Sequence, residues 1–318
     1  MLPRPLPVSV ADIDAAAGRI ASYVRRTPVL ELAAGELGLN AILSLKLEFL
    51  QHAGSFKARG AFNSLLSQAV PAAGVAAASG GNHGAAVAFA ARRLGAGATI
   101  FVPEIASPAK IEAIRAFGAD VRVGGARYAD ALVMCERFIA ETGALSVHAY
   151  DAPATIAGQG TVAREWNQQC GDLDTVLVAV GGGGLIAGLA AWWGGRVKVI
   201  GVEPVGSRAL HAALEAGRPV DVEVASIAAD SLGARRAGDL VFEIARAAVE
   251  RVVLVEDTAI AAAQRQLWRD FRMAVEPGGA AAFSAVVSGA YQARAGERVG
   301  VLMCGANVDL ATLGGVAS

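Results

Sequence analysis

Lys57 is the residue whose type and position most clearly suggest chemistry in this chain. It follows a short expected strand, Leu43–Leu50, and the turn at Gly54, and it directly precedes an expected helix over Ala58–Ala69. The N-terminus of a helix disfavours a fixed positive charge. This position therefore helps to keep the amine neutral, and a neutral lysine amine is a nucleophile that can form a Schiff base. A lone lysine after a turn is usually an ordinary surface residue, so the rest of the chain must support the assignment.

Four consecutive glycines, Gly181 to Gly184, follow the expected strand Thr175–Val180 and precede the expected helix Leu185–Trp193. Such a run costs chain entropy. It is useful where several backbone N–H groups must converge on one anion at the start of a helix. The run lacks the Lys-Ser/Thr ending of a nucleotide loop and the spacing of a dinucleotide fingerprint, so it favours the monophosphate of a cofactor. The alternative is a tight strand-to-helix turn, for which one glycine would be enough.

A second loop of small residues, Ser79–Gly84, also lies between an expected strand and an expected helix. Its hydroxyl and backbone N–H groups suit a substrate carboxylate. Asn82 can donate a hydrogen bond to a phenolate-type oxygen. His83 alone carries little weight, because a single histidine at a helix start is more often a cap or a packed residue than a catalyst.

Cys304 follows the last apolar strand and begins the segment Cys304–Asp309. In open α/β sheets, ligands bind beyond the carboxyl ends of the strands. A buried thiol is most often inert packing. At a strand end and beside Gly305, this thiol is a better candidate for a weak hydrogen bond to the nitrogen of a cofactor ring.

The composition bounds the class of protein. Of 318 residues, 54% are hydrophobic and 18% are charged, and the net charge is −1. The length predicts two domains, and the composition predicts parallel strands buried between helices. The net charge gives no basis for binding nucleic acid or an anionic membrane, and no apolar run reaches the roughly 20 residues of a membrane span. Three widely spaced cysteines give neither a disulfide framework nor a metal-site spacing, which favours the cytoplasm.

Short apolar runs alternate with helical stretches along most of the chain, which predicts βαβ units and an α/β fold with open, mostly parallel twisted sheets flanked by helices. Residues 74–147 hold enough strands for a compact sheet of their own. We expect them to form a small domain inserted into a larger domain of residues 1–73 and 148–318. The other expected strands are Val75–Ala78, Ala98–Val102, Asp120–Val123, Val197–Val202, Val252–Val255 and Val299–Met303. The other expected helices are 83–94, 108–117, 127–142, 155–169, 257–270 and 278–290.

Taken together, these motifs resemble the fold-type II, pyridoxal-phosphate-dependent serine/threonine dehydratases, a group that also includes serine racemases and hydroxyaspartate dehydratases. The resemblance covers nearly the whole chain, and the joint order of the motifs is far more specific than any one of them. It implies two sheets in the arrangement of the tryptophan synthase β-subunit. The further segments that carry it are Arg26–Val29, Lys46–Glu48, Gln51, Ser55–Ala61, Gly158–Thr161, Gly201–Pro204 and Glu276–Pro277.

The resemblance implies pyridoxal 5′-phosphate as the cofactor and assigns a role to each motif. Lys57 would hold the cofactor as a Schiff base, and Lys57 and Ser79 are the candidate catalytic residues. Phe56 would lie against the ring, Asn82 would bond its 3-hydroxyl oxygen, and Cys304 would face its nitrogen. The candidate cofactor-binding residues are Phe56, Lys57, Asn82, Gly181, Gly182, Gly183, Gly184, Leu185 and Cys304. The candidate substrate-binding residues are Ser55, Ser79, Gly80, Gly81, Asn82 and His83.

The reaction that the resemblance implies is β-elimination of L-threonine, L-serine or both to a 2-oxo acid and ammonia. The freed Lys57 amine would remove the α-proton. A neutral Cys304 thiol would not fully protonate the ring nitrogen, which favours prompt loss of a β-leaving group over transamination. The choice among hydroxy amino acids stays open, because a pocket distinguishes one methyl group by only ~1–3 kcal/mol. The family also implies a homodimer.

Two departures from the family pattern narrow the function. Gly80 stands where racemases of this group carry a second serine, which argues against racemisation as the main activity. Ala209 stands where metal-activated members carry an acid, so we assign no metal site and expect Glu203 to be structural. Serine racemase and hydroxyaspartate dehydratase stay as alternatives. A β-replacement enzyme is less favoured, because relatives with that activity carry aspartate where Ala58 stands. A non-catalytic cofactor-binding relative is also less favoured, because Lys57 is retained.

Overall fold

The computed structural model describes residues 6–308 and contains two β-sheets surrounded by helices. The strands are β1 Val29–Leu32, β2 Ile42–Lys46, β3 Val75–Ala78, β4 Ala98–Val102, β5 Asp120–Val123, β6 Leu145–Ser146, β7 Thr175–Ala179, β8 Lys198–Pro204, β9 Arg251–Val255 and β10 Arg298–Leu302. The helices are α1 Val10–Ile20, α2 Lys57–Leu66, α3 Asn82–Arg93, α4 Pro108–Ala116, α5 Tyr128–Thr142, α6 Pro153–Gln169, α7 Gly184–Trp193, α8 Ala209–Ala216, α9 Ala229–Leu232, α10 Asp239–Ala248, α11 Asp257–Phe271 and α12 Pro277–Val287.

Both sheets are mostly parallel, as predicted. The larger has the order β1-β2-β10-β7-β8-β9, and its pairs are parallel except for antiparallel β1 and β2. The smaller has the order β5-β4-β3-β6 and is parallel throughout. Because β7 and β10 are neighbours, the segments that follow them, including the tetraglycine run and Cys304, meet at one edge of the larger sheet.

The smaller sheet is formed by strands between residues 75 and 146. Its hydrophobic core also takes in side chains of α2, since Ala58 and Phe62 belong to the same buried cluster as Val75 and Ile100. The helix that begins at Lys57 therefore packs against the core of the smaller sheet. Division of the chain into domains at residues 74 and 147 stays a prediction.

Buried charges fix the start of α2. Arg59 is 1% exposed, and its guanidinium donates to both carboxylate oxygens of Glu48, over 2.7 and 2.9 Å. A buried ion pair is strongly destabilised when one partner is removed, so this pair ties the first turn of α2 to the end of β2. The expected strand Leu43–Leu50 ends earlier, at Lys46, because short 3₁₀ turns follow it. The expected helix Ala58–Ala69 also ends early, at Leu66.

Among residues 6–308, no helix is both long enough and apolar enough to cross a membrane.

Candidate active site

The amine of Lys57 projects from the first residue of α2 into a cavity. Its Nζ donates a hydrogen bond to the backbone oxygen of Ala149 over 2.7 Å and lies 5.2 Å from the centre of the Phe56 ring. Burial lowers the pKa of this amine to about 8, while the neighbouring Cys304 opposes the shift. Near neutral pH a useful fraction of the amine is therefore unprotonated, which a nucleophile or a general base requires.

The cavity beside Lys57 is open to solvent at its mouth. Every residue assigned to cofactor binding from the sequence lines it. The lining residues are Phe56, Lys57, Asn82, Tyr150, Ala179, Gly181, Gly182, Gly183, Gly184, Leu185, Ser231, Leu232, Glu276 and Cys304.

The tetraglycine run forms the turn from β7 into α7, and the structure shows why side chains are excluded from it. A Cβ on Gly182 would lie 2.3 Å from the ring of Tyr150, and one on Gly184 would lie 2.6 Å from the Tyr150 backbone oxygen. Gly183 has a φ of +90°, which favours glycine. The glycines therefore leave the backbone N–H groups at the start of α7 bare, where an anion can approach them.

Asn82, the first residue of α3, is held from both sides of its amide. Its Nδ2 donates to Glu276 Oε1 over 2.5 Å, and its Oδ1 accepts from Asn307 Nδ2 over 2.7 Å. Burial raises the pKa of the Glu276 carboxyl above its usual range, although the bond from Asn82 opposes the shift. The network fixes which way the amide points and leaves its second N–H free to bond a ligand.

Cys304 lies just beyond β10 and is 4% exposed. Its Sγ donates a long hydrogen bond, 3.5 Å, to the backbone oxygen of Gly278. Burial raises the pKa of the thiol strongly, so the group facing the cavity is a neutral thiol and not a thiolate.

Asn82 lines the cavity, but the rest of the predicted substrate loop does not. In the part of the chain that the structure describes, the lining excludes five predicted residues: Ser55, Ser79, Gly80, Gly81 and His83. The hydroxyl of Ser79 accepts a hydrogen bond from the Gly81 N–H over 3.2 Å, which shapes the loop. The hydroxyl of Ser55 is buried without a protein partner within residues 6–308 and so is free to bond a ligand. Substrate binding by these residues stays a prediction.

His83 packs inside the protein. It is 5% exposed, and its Nε2 lies 2.8 Å from the backbone oxygen of Val147. Burial lowers its pKa to about 3, and the nearby Lys57 contributes to the shift. A neutral histidine that donates from Nε2 to a carbonyl supports the start of α3, in line with the packed role that the sequence suggested for it.

Sequence reasoning did not assign four polar or bulky residues of the lining: Tyr150, Ser231, Leu232 and Glu276. Glu276 occurred only as part of a motif, before the Pro277 that begins α12. The other three lie in or beside irregular segments without periodicity, and only the packing of the chain brings them to the tetraglycine turn.

Glu203, at the end of β8, bonds to the first turn of α8. It is fully buried, and its two carboxylate oxygens accept the backbone N–H groups of Leu210 and His211 over 2.9 and 2.8 Å. Within residues 6–308, no cluster of three or more metal-binding side chains is present.

Comparison with known proteins agrees with this geometry. The family model described as "Pyridoxal-phosphate dependent enzyme" matches residues 20–305. The chain belongs to this family. It is 40% identical to a phenylserine dehydratase of Ralstonia pickettii, with 96% of this chain and 95% of the relative covered. It is 38% identical to an L-threonine ammonia-lyase of Geobacter sulfurreducens, with 95% of this chain and 76% of the relative covered.

Solved structures give the same fold. A serine racemase from maize superposes with a TM-score of 0.91 at 34% identity, covering 97% of this chain and 96% of that one. The processed form of threonine deaminase isoform 2 from Solanum lycopersicum superposes with a TM-score of 0.88 at 30% identity. The superposition covers 99% of this chain and 95% of that one. The fold is therefore that of the fold-type II pyridoxal-phosphate enzymes.

The residues present fit pyridoxal 5′-phosphate. A lysine amine with a lowered pKa faces the cavity, a bare helix start is available for a phosphate, and the Asn82 amide retains a free N–H. In addition, the lining holds one buried hydroxyl, Ser231 Oγ, that has no protein partner within residues 6–308. This set matches the aldehyde, the phosphate and the polar ring atoms of the cofactor.

Proposed function

We propose that this protein is a lyase that catalyses pyridoxal-phosphate-dependent β-elimination of a β-hydroxy α-amino acid, yielding a 2-oxo acid and ammonia. The observation that carries the proposal is the Lys57 amine, which has a pKa of about 8 and opens into the same cavity as the tetraglycine turn and the neutral thiol of Cys304. The relatives named threonine ammonia-lyase and phenylserine dehydratase support it.

The cofactor supplies an electron sink that stabilises negative charge at the substrate α-carbon. The protein supplies the proton transfers and the positioning. Lys57 binds the cofactor and then accepts the substrate α-proton at Nζ, for which its lowered pKa suits it. The N–H groups of Gly181–Gly184 and Leu185 would bind the phosphate, Phe56 would pack against the ring, and Asn82 would donate to the oxygen of the ring hydroxyl.

Cys304 would face the ring nitrogen of the cofactor as a neutral thiol, because burial keeps its proton in place. A thiol would not transfer a full proton to the ring, so more of the negative charge would stay at the substrate α-carbon and favour prompt loss of the β-hydroxyl. The substrate thereby loses its α-hydrogen and β-hydroxyl as water. Hydrolysis of the unsaturated amine that remains returns one water and releases ammonia with the 2-oxo acid. Ser55, Ser79 and the loop Gly80–His83 are proposed to hold the substrate.

L-Threonine and L-serine are the proposed substrates, and phenylserine joins them as a candidate. The relative at 40% identity is a phenylserine dehydratase, which acts on this bulkier hydroxy amino acid. A one-methyl difference such as that between serine and threonine supplies only ~1–3 kcal/mol of discrimination, so we expect activity on more than one of the three.

Serine racemisation is the second candidate, favoured by the likeness to the maize serine racemase. One local observation argues against it. A Cβ on Gly80 would lie 2.8 Å from Cβ of Ala106, so the loop has no space for the second serine of the racemases. We therefore place racemisation below elimination.

We also propose that the enzyme acts in the cytoplasm as a homodimer with a small amino acid as its substrate, and without nucleic acid, membrane or metal partners. The low net charge and the free cysteines support this assignment.

The decisive experiment incubates the cofactor-loaded enzyme with L-threonine, L-serine, phenylserine and 3-hydroxyaspartate, with and without Mg²⁺, and measures 2-oxo acid and ammonia. Release of both in equal amounts, independent of Mg²⁺, is the expected result. Parallel samples with sulfide test for β-replacement, and chiral chromatography of unreacted serine tests for racemisation. Failure of all four substrates to give a 2-oxo acid would refute the proposal.

A further inference from the structure

Ser231, on the short helix α9, carries a hydroxyl group that no group in the described chain binds. The residue lines the active-site cavity, and its Oγ is closed off from solvent and lacks a hydrogen-bond partner within residues 6–308. A buried hydroxyl without a partner is destabilising, and native proteins pair nearly all such groups with protein, water or ligand. The hydroxyl is therefore placed to receive a partner from outside the chain.

Three glycines from three different elements allow α9 to approach the cavity. A Cβ on Gly81 of the substrate loop would lie 3.3 Å from the α9 backbone, and one on Gly181 of the tetraglycine turn would lie 3.0 Å from it. A Cβ on Gly278 of α12 would lie 2.2 Å from Ser231 Oγ. The wall formed by α9 is therefore in direct contact with both predicted binding loops.

Two interactions hold α9 in this place. The hydroxyl of Ser207 donates to the backbone oxygen of Leu232 over 2.8 Å, and both groups are buried. On the other side, Lys110 of α4 forms a 2.7 Å ion pair with Asp230. Because α9 is tied on both sides, the Ser231 hydroxyl is positioned before any ligand arrives, which lowers the entropy cost of a bond to it.

Gly278 lies close to both Ser231 and Cys304. The Cys304 thiol donates to the Gly278 backbone oxygen over 3.5 Å, and Ser231 Oγ lies against the same glycine. The hydroxyl and the thiol thus both lie close to Gly278, and the tetraglycine turn supplies separate donors for a phosphate. A hydroxyl is a stronger hydrogen-bond donor than a thiol.

We infer that Ser231 is a further cofactor-contacting residue, whose hydroxyl donates a hydrogen bond to a polar atom of the ring of bound pyridoxal 5′-phosphate. The inference rests on the proposed cofactor site. It adds a contact that the sequence motifs do not include, because Ser231 lies in a segment to which no motif was assigned.

The test measures equilibrium affinity for pyridoxamine 5′-phosphate, which carries the ring and the phosphate but cannot form a Schiff base with Lys57. Compared with the unaltered apoprotein, Ser231→Ala should bind this probe about 2- to 10-fold more weakly, the effect of one hydrogen bond. Affinity for inorganic phosphate, which reports on the tetraglycine turn alone, should be unchanged. Equal affinity of the two proteins for pyridoxamine 5′-phosphate would overturn the inference.

Thermal unfolding of the apoproteins separates a ligand contact from a structural role. Ser231→Ala removes a hydroxyl that bonds nothing, so the midpoint should stay the same or rise. The matched control, Ser207→Ala, breaks a bond that is made within the protein and should lower it. An equal fall in the unfolding midpoint of both variants would show that Ser231 supports the fold and would overturn the inference. If the unaltered protein bound neither pyridoxal 5′-phosphate nor the probe, the proposed function would fail together with the inference.

Discussion

At the scale of single residues, the environment of Lys57 suits it to its proposed role. Burial at the start of α2 lowers the pKa of the amine to about 8. The only hydrogen bond recorded for Nζ in the described chain is to the backbone oxygen of Ala149, which leaves the amine free of a carboxylate that would hold its proton. The same amine can therefore bind an aldehyde and later act as a base.

We expect Lys57→Ala to remove the visible absorption band of the lysine-bound cofactor and to lower kcat by at least about 100-fold, because it removes both the covalent attachment and the general base. The measurements are an absorption spectrum after loading with pyridoxal 5′-phosphate and a 2-oxo acid assay. The control is Lys198→Ala, which replaces an exposed lysine on β8 and should leave the absorption band and kcat unchanged. Persistence of the band in Lys57→Ala would show that another lysine binds the cofactor.

Gly80 supports a second residue-scale prediction. Its Cβ position lies 2.8 Å from Cβ of Ala106 and 3.1 Å from Cγ1 of Val102. Gly80→Ser should therefore lower the free energy of unfolding by about 1–3 kcal/mol through overpacking, and it should not raise racemisation of L-serine. Urea unfolding and chiral chromatography measure the two effects.

A compensating substitution checks the cause. The double variant with Gly80→Ser and Ala106→Gly should recover part of the lost stability, because it removes the atom that the new side chain would meet. A serine at position 80 that costs no stability and gives rapid racemisation would contradict the steric argument.

At the scale of elements, each predicted binding loop joins a parallel strand to the N-terminus of a helix: β3 to α3, and β7 to α7. Helix N-termini present unpaired N–H groups and partial positive charge. The six-stranded sheet places the tetraglycine turn and Cys304 at one edge, because β7 and β10 are hydrogen-bonded neighbours. The elements thus bring together groups that lie more than a hundred residues apart in the chain.

The buried carboxyl group of Glu203 accepts hydrogen bonds from the first turn of helix α8, and its raised pKa predicts how stability changes with pH. Burial raises the pKa of Glu203 to about 8, although the backbone N–H groups of Leu210 and His211 oppose the shift. Because the folded-state pKa lies above the unfolded value, the native protein binds more protons than the unfolded chain between about pH 4.5 and pH 8. The contribution of Glu203 to stability must therefore decline as the pH rises through this window.

Glu203→Gln should flatten that decline, since an amide does not titrate. The measurement is the urea-unfolding free energy of both apoproteins at several pH values across the window. Glu215→Gln, which alters an exposed carboxylate on the same helix, should leave the slope unchanged. A slope that is identical in the Glu203→Gln variant and the unaltered protein would contradict the assignment of the raised pKa.

At the scale of the whole molecule, the cavity is bounded by groups associated with both sheets. Asn82, at the end of the loop after β3, is bonded to Glu276 and Asn307 near the larger sheet. The Lys110–Asp230 ion pair forms a second connection between the same two parts of the chain. A change in the relative position of the two sheets would therefore act directly on the Asn82 amide.

We predict that the protein is a homodimer in solution, in which case sedimentation equilibrium should give twice the chain mass of 32.2 kDa. The high hydrophobic content and the half-exposed side chains of Val133 and Trp268 are compatible with a covered surface. A mass that stays at that of one chain across the accessible concentration range would contradict the prediction.

The sequence by itself determined the features that depend on local patterns. Strand-to-helix alternation predicted the parallel sheets. The motifs around Lys57, Asn82, the four glycines and Cys304 carried the family resemblance, and that resemblance predicted the cofactor-binding residues, all of which line the cavity. Only the tertiary structure placed Glu276 against Asn82, Tyr150 against Gly182, and Ser231 in the cavity wall. Those contacts join segments far apart in the chain through irregular loops, where neither periodicity nor turn chemistry fixes the partner.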